Sequence, residues 1–375
     1  VEAPRELLRC RACGCSRVHL HERVTRTWQS APLGLTRVEI VMSSPRVKCL
    51  KCQAKTWHQP AFASGQRRIT RSFELFIEQQ LTRLTIQDVV ETYGLSWNTV
   101  CEIDIARLRR LARPKLSSLK RLATDENYLG TRHGFVTIVL DLDTKAIVSV
   151  LKGRGQSALA PFFSRLKQAG AQIKAVATDM SGGYIAAVQK HLPKAALVFD
   201  RFHVVKLMNE KLTALRREMY HELTDKQHRQ ILKGTRWLLL KNPENLKQNE
   251  KVDERAKLKE ALKLNESLAT AYYLKEDLRQ FWEQGSKPAA EKFLESWCRR
   301  AETSGIRHLH VMANTLRLHR SGLLNWYDHP LSTGPLEGIN NKIGALQRQA
   351  YGYRNFEHLT ERLLTLHHAK YMLQG

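Results

Sequence analysis

Three acids far apart in the chain stand where apolar runs break: Asp125 in "ATDENYLG", Asp179 closing "AVAT", and Glu337 just after "STGP". Hard divalent cations take carboxylate oxygens. Two such cations held together activate an attacking oxygen and support a leaving one, which is the chemistry of phosphoryl transfer. Each acid also has a plainer reading. Asp125 can begin a turn, with Glu126 as the ligand instead, Asp179 can be an N-cap, and Glu337 can sit in a first helical turn for dipole reasons. Asp141 and Asp143, in "DLDTK", read as hairpin chemistry. A further acid, Asp200 in "FDRFHVVK", has His203 three residues on. That pair is placed near the metal edge, with an N-cap and a buried histidine as the competing reading, and neither is a primary metal ligand.

A second constellation is made of cysteine. Cys10-x-x-Cys13 and Cys49-x-x-Cys52 are two knuckles within the first 52 residues, which hold five of the seven cysteines. Each knuckle offers two thiolates, and together they complete the tetrahedron that zinc prefers. Such clustering reads as a metal site rather than a disulfide framework. Four protein ligands leave no open position, so the zinc is expected to be structural. Cys15 competes with Cys13, and His19 or His21 with a thiol.

The elements that must hold these residues can be read from periodicity. "LKRLATDENYL", "GFVTIVLDLD" and "AIVSVLKG" read as three strands at short spacing. "ALAPFFSRLKQAG" then reads as a helix, "IKAVATDM" as a strand, "GYIAAVQKHL" as a helix and "AALVFD" as a strand. The pattern predicts an α/β fold whose mixed sheet has an antiparallel meander followed by parallel crossovers. With the first and fourth strands adjacent and parallel, Asp125 and Asp179 meet at one edge, and the helix begun by Glu337 packs across it. From about Val204 to Leu324 the chain reads as helical, with a block at 241–300 that alternates charge like a solvated surface. Trp282 and Trp297 lie in it, and packing is favoured over stacking on a base.

The chain has 375 residues, enough for two to four domains. Its 61 Lys and Arg against 36 Asp and Glu give +25, which points to a polyanionic partner. No stretch approaches the roughly 20 apolar residues a membrane span needs. The opening "VEAPRELLRC" has no apolar signal core and no initiator Met, so a processed or incomplete N-terminus and a cytoplasmic location are expected. "TIQDVVETYGLSWNTVCEI" reads as a helix-turn-helix, with Gly94 at the turn and Ser96 capping a second helix. That helix carries Trp97, Asn98 and Thr99 where a recognition helix meets base edges. Seven Lys or Arg and no acid lie between Ala106 and Arg121; of these, Arg109, Arg110 and Arg113 are candidates for phosphate contact. After Glu337, Asn341 and Arg348 share its helical face. Lys342, Arg348 and Arg354 suit phosphates, and Tyr351 or Tyr353 an unpaired base.

Three segments, "ATDENYLG…TIVLDLDT", "AVATDMSGGYIAAVQKHLPKAALVFDRFHVVKLMN" and "GPLEGINNKIGALQRQAYGYRNF", closely resemble the DDE transposases of the ISL-three insertion sequences. The resemblance covers nearly the whole chain. It implies a zinc-binding domain at 1–66, a helix-turn-helix with basic linker at 67–116, and an RNase H-like catalytic core at 117–210 and 329–375, interrupted by a helical insertion at 211–328. It implies Asp125, Asp179 and Glu337 as the three catalytic acids, holding Mg²⁺ or Mn²⁺. The implied activity is cleavage at the element's terminal inverted repeats followed by strand transfer into target DNA, performed by a homodimer or larger assembly that is nucleoid-associated when on DNA. Competing readings are a DNA-binding regulator that keeps the fold without the chemistry, and a nuclease that cleaves but never joins.

Overall fold

The computed structural model describes residues 2–63, 67–249, 252–263 and 265–368; one side of the boundary expected at 66 and 67 lies outside them. The chain forms two compact units, one of residues 1–112 with 344–375, the other of residues 113–343.

In the first unit, β1 (Val18–Leu33) and β2 (Thr36–Cys49) form a long antiparallel hairpin turning at Gly34, and β3 (Lys55–Trp57) adds to β2. The apolar pattern of "TRVEIVM" signals only part of this hairpin. β1, "VHLHERVTRTWQSAPL", is mostly exposed, and Glu22 and Arg26 interrupt the alternate apolar positions Val18, Leu20, Val24 and Trp28, so its signature is weak. Its small core gathers Trp28, Met42, Val47 and Ala63, with Phe62 edge-on to Trp28 at 5.5 Å.

Three helices follow: α1 (Arg71–Gln80), α2 (Ile86–Tyr93) and α3 (Trp97–Arg109). Thr85 and Asp88 form a reciprocal capping box on α2. Gly94, at φ 66°, ends α2 in the left-handed conformation, and Ser96 accepts the Thr99 N–H to start α3. Phe73, Ile77, Val89, Val100 and Ile103 close a shared core among them.

The second unit is built on a five-stranded sheet of order β6-β5-β4-β7-β8. Strands β4 (Arg121–Tyr128), β5 (Phe135–Asp141) and β6 (Ile147–Lys152) are the antiparallel meander; β7 (Ala175–Thr178) and β8 (Ala196–Phe199) run parallel to β4. The first and fourth strands of this unit therefore lie side by side, in the arrangement the spacing predicts. α4 (Gln156–Gln168) and α5 (Gly182–His191) supply Leu159, Phe162, Phe163, Tyr184 and Val188 to a core with Leu122, Val139 and Val176. Strands covered on both faces read as continuous apolar runs, which is why β5 and β7 are plain in the sequence.

After β8 the chain is helical: α6 (Arg201–Glu222), α7 (Lys226–Gly234), α8 (Arg236–Leu240), α9 (Glu254–Lys263), α10 (Glu266–Arg279), α11 (Lys287–Thr303), α12 (Arg307–Leu318) and α13 (Arg320–Leu324). Their core holds Leu212, Leu274, Leu294, Trp297 and Met312 and joins Phe199 of β8. Trp282 and Trp297 are both buried, and the Trp297 indole donates to the Leu274 carbonyl at 2.8 Å. They are packing residues. Charges of the 241–300 block pair across the surface, as in Arg279 with Glu244 and Arg300 with Asp277. Gly322 of α13 lies against Phe199 so closely that a Cβ there would meet the ring at 2.3 Å.

The last two helices are α14 (Gly334–Gln349), within which the division between the units falls, and α15 (Phe356–Leu364). In the first unit α15 packs on α3 through a charged core. Asp104 is fully buried and takes His358 Nε2 at 2.7 Å, Arg362 at 2.8 Å and Arg107 at 2.6 Å. Burial alone would raise its pKa; the hydrogen bond from His358 and the charges of Arg362 and Arg107 outweigh this and hold it at about 2. A carboxylate depressed in this way stabilises the fold above its ordinary pKa of 3.8, and that contribution is lost as pH falls through about 2. Asp104→Ala removes the buried carboxylate that His358, Arg362 and Arg107 share and should cost about 3–5 kcal/mol in urea denaturation at neutral pH. A loss below about 1 kcal/mol would show the network to be dispensable.

Candidate active site

The register of β4 on β7 pairs Ala123 with Ala177. Carried two residues further, it sets Asp125 level with Asp179, the first residue beyond β7. Because side chains alternate, Asp125 and Asn127 share one face of β4. Glu126 takes the other, where it adjoins the Tyr184 hydroxyl. The DLDTK turn is hairpin chemistry: Asp141 accepts from the Asp143 and Thr144 N–H groups, and Asp143 pairs with Arg121.

Each carboxylate at the edge is held by specific donors. Asp125 Oδ1 accepts the Glu126 N–H at 2.8 Å, and Oδ2 accepts the Asn340 side-chain amide at 2.9 Å. Asn340 Oδ1 in turn accepts from the Asn127 amide at 3.0 Å. Asp179 Oδ1 accepts the Ser181 N–H at 3.0 Å in the turn before α5. Asp200, buried, caps α6 through the Phe202 N–H and also takes the Thr333 hydroxyl at 2.6 Å and the Thr333 N–H at 3.2 Å. The N-cap reading of "FDRFHVVK" thus holds, and its Asp also anchors the segment leading into α14.

His203 Nδ1 lies 3.5 Å from Asp200 Oδ2, within ion-pair distance. Asp200 above all, then Asp125 and Asp179, push the His203 pKa up against its desolvation. Burial raises the Asp125 carboxyl, with Asp179 adding repulsion, while the Glu126 N–H, His203 and Asn340 oppose the rise. One edge therefore gathers three aspartates around one histidine, a concentration of negative charge that favours a cation.

Glu337 sits in the first turn of α14, exposed, one turn before Asn340. Leu336, Ile339, Ile343 and Leu346 form the buried stripe of that helix, and Glu337, Asn341 and Arg348 lie on its exposed side. Among the described residues, the only His, Cys, Asp or Glu group of three or more with ligand atoms all within 4.8 Å is the cysteine cluster. Asp125, Asp179 and Glu337 are not drawn together to that distance.

The cysteine cluster comprises Cys10, Cys13, Cys49 and Cys52. Its two knuckles share one backbone pattern. Cys10 N–H donates to the Cys15 carbonyl and Gly14 N–H to Cys10, as Cys49 does to Ala54 and Gln53 to Cys49. Gly14 and Gln53 both take positive φ, 71° and 59°. The sulfurs of Cys10 and Cys52, and of Cys13 and Cys49, are 3.6 Å apart. A tetrahedron with Zn–S of about 2.3 Å requires about 3.8 Å between sulfurs, so the set fits zinc. Backbone N–H groups of Cys52 and Lys51 aim at Cys49 Sγ and hold its pKa at about 6. Cys15 turns its sulfur to the Arg17 carbonyl, and neither it nor His19 or His21 joins the set.

The sequence profile of a family described as "Transposase", the DDE type of ISL-three elements, matches residues 122–363, which span the sheet, the helical layer and α14. The chain belongs to the ISL-three family of DDE transposases. Among curated relatives of this transposase is the "Transposase for insertion sequence element IS1001" of Bordetella parapertussis, 34% identical over 359 residues, covering 94% of this chain and 87% of the relative. The "Transposase for insertion sequence element IS1557" of Mycobacterium tuberculosis is 28% identical over 379 residues, covering 93% and 83%. A solved structure, the Drosophila P element transposase strand transfer complex, aligns over 80% of this chain and 92% of that one at 11% identity and a TM-score of 0.41, too loose a likeness to place residues. Family membership makes the transposase a DNA-cleaving and DNA-transferring enzyme by class, with DNA as its partner. None of its described helices is long and apolar enough to cross a membrane.

Other sequence candidates in the transposase are placed as follows. Asn98 is exposed at the start of α3, Thr99 hydrogen-bonds Ser96, and Trp97 is half-buried against the helical core. Arg109 pairs with Glu357 and Glu361, and Arg110 with Glu78, so both help fasten helices of their own unit. Arg113, Lys342, Arg348 and Arg354 are exposed or partly so, and Tyr351 is fully exposed with φ 48°. Tyr353 is half-buried against the His358 ring. Sequence reasoning missed Asn340, Asn127 and Thr333. For Asn340 a signal existed: in "GINNK" it lies three residues after Glu337, a spacing as close on a helix as the four of Asn341.

Proposed function

We propose that this transposase binds the terminal inverted repeats of an insertion sequence, cleaves the strand at each end, and joins the freed 3′-OH to target DNA. The observation that carries this reading is the juxtaposition of Asp125 and Asp179 on one edge, with Asn340, from the helix bearing Glu337, bonded to Asp125. Asp125, Asp179 and Glu337 are the acids that hold divalent cations, Mg²⁺ or Mn²⁺. Bound there, such ions lower the pKa of an attacking water or hydroxyl and stabilise the leaving oxygen. The donor set fits, since oxygen-only ligands suit hard cations and each aspartate has one oxygen fixed by a backbone N–H. Asp125 and Asp179 present their remaining lone pairs to the shared edge, and Glu337 comes to them with α14. Asp200 and His203 serve near the site, Asp200 by anchoring Thr333 and His203 by balancing the aspartate charge.

The finer layout follows the family. We read residues 1–66 as a zinc-binding domain with structural zinc on Cys10, Cys13, Cys49 and Cys52. Residues 67–116 are a helix-turn-helix with basic linker, and 117–210 with 329–375 an RNase H-like core split by the helical insertion at 211–328. Trp97, Asn98 and Thr99 read base edges. Arg113, Lys342, Arg348 and Arg354 contact phosphates, whereas Arg109 and Arg110 are engaged by carboxylates of their own unit. Two ends must be held at once, so the working form is a homodimer or larger.

The test is a labelled duplex carrying an element end, incubated with Mg²⁺ or Mn²⁺ and with chelator. Cleavage leaving a 3′-OH, followed by joining to a second duplex, is expected only with the metal. Tight end binding without cleavage under either cation would favour the regulator, and cleavage without joining would favour the nuclease.

A further inference from the structure

We infer that Asn340 is a positioning residue that sets the orientation of Asp125 and locks α14 onto the active-site edge, with Asn127 fixing its amide. The inference rests on the reading of Asp125 as a metal ligand. The hydrogen bonds run in one direction: Asn127 Nδ2 donates to Asn340 Oδ1 at 3.0 Å, and Asn340 Nδ2 donates to Asp125 Oδ2 at 2.9 Å. A primary amide has one acceptor and one donor group. With its oxygen engaged by Asn127, Asn340 can present only N–H to the carboxylate; the flipped amide would set two acceptors face to face. Asp125 Oδ1 is already held by the Glu126 N–H at 2.8 Å. One donor on each oxygen fixes the plane of the carboxylate and the direction of its free lone pairs.

The same bond determines where Glu337 stands. Asn340 is three residues after Glu337 on one helix, and Thr333 is four residues before it. Thr333 is bound through both its hydroxyl and its N–H to Asp200, at the end of β8. Two polar anchors therefore bracket Glu337, one to the β4 edge and one to the β8 edge. Apolar packing of Leu336 and Ile343 holds the helix down but specifies its rotation and slide less sharply than hydrogen bonds do. Outer-shell partners of metal ligands commonly change affinity or activity by about 10–100-fold.

The experiment titrates Mn²⁺ by calorimetry into metal-free transposase bound to end DNA, for the native chain, Asn340→Ala and Asn127→Ala. Cleavage is followed in parallel as a function of Mn²⁺. Asn340→Ala should weaken Mn²⁺ binding about 10–100-fold and shift the cleavage curve by the same factor, with rate largely recovered at saturating metal. Asn127→Ala, which frees the amide without removing it, should shift both in the same direction by less. End binding and the thermal midpoint should stay near native in both. Native Mn²⁺ curves for a folded Asn340→Ala overturn the inference, and so do native curves for Asn127→Ala should Asn340→Ala fail to fold. Retained Mn²⁺ binding and cleavage in Asp125→Ala would instead refute the site reading itself.

Discussion

Asp125→Ala, Asp179→Ala and Glu337→Ala are each expected to abolish cleavage of end DNA, by about 10³-fold or more, while end binding stays near native. Charge stabilisation by a bound divalent ion is worth several kcal/mol in the transition state, and each 1.36 kcal/mol is about tenfold in rate. Losing one of three carboxylates removes both a ligand and the placement of the ion, whereas the residues proposed to read DNA lie on other elements. Full cleavage by any one variant with Mg²⁺ would remove that acid from the assignment. A companion measurement separates loss of chemistry from loss of fold. Burial and the neighbouring Asp179 raise the Asp125 pKa, so ionising it at neutral pH opposes folding of the metal-free protein. Asp125→Asn removes that charge but offers one acceptor where Asp125 offers two, to the Glu126 N–H and to the Asn340 amide. The two changes oppose each other, so the metal-free thermal midpoint should stay near native as activity vanishes; a large fall would mean Asp125 is chiefly structural.

Removing zinc should have the second large effect. Structural zinc sites contribute about 10–16 kcal/mol of apparent binding free energy at neutral pH, as much as the whole stability of an ordinary domain, about 5–15 kcal/mol. The small core around Trp28, Met42 and Val47 cannot make up such a loss. Cys49→Ser, or a strong chelator, is therefore expected to reduce bound zinc from one per chain to near none, measured by atomic absorption. Amide protection across β1–β3 should collapse with it, and end binding should fall at least about tenfold. Full amide protection in a chain shown to carry no zinc would sink the structural role.

What the sequence made legible follows from burial. β5 and β7 are covered on both faces, so single acids at strand ends stand out, and the spacing of short strands predicts the neighbouring β4 and β7. The tetrad of cysteines was equally plain, because a two-residue gap in each knuckle is a local signature. The long β1–β2 hairpin was not, since β1 is largely exposed and Glu22 and Arg26 break its apolar alternation. Basic Arg109 and Arg110 read as phosphate contacts, yet their partners Glu357, Glu361 and Glu78 are acids distant in sequence that no local pattern associates with them. Asn340 and Asn341, three and four residues after Glu337, are equally close to it on a helix; which of two adjacent amides faces inward depends on how α14 packs through Leu336 and Ile343.

The charged core at Asp104 has a bearing on synthesis. Its histidine partner lies 254 residues later in the chain, so α3 emerges from the ribosome with only Arg107 beside its buried aspartate, long before His358 and Arg362 exist. A nascent chain can form the cysteine knuckles and the three early helices, but the Asp104 network lacks His358 and Arg362 until α15 is made. The seat of the proposed reading helix therefore reaches its native packing only after α15 has been translated, 254 residues on.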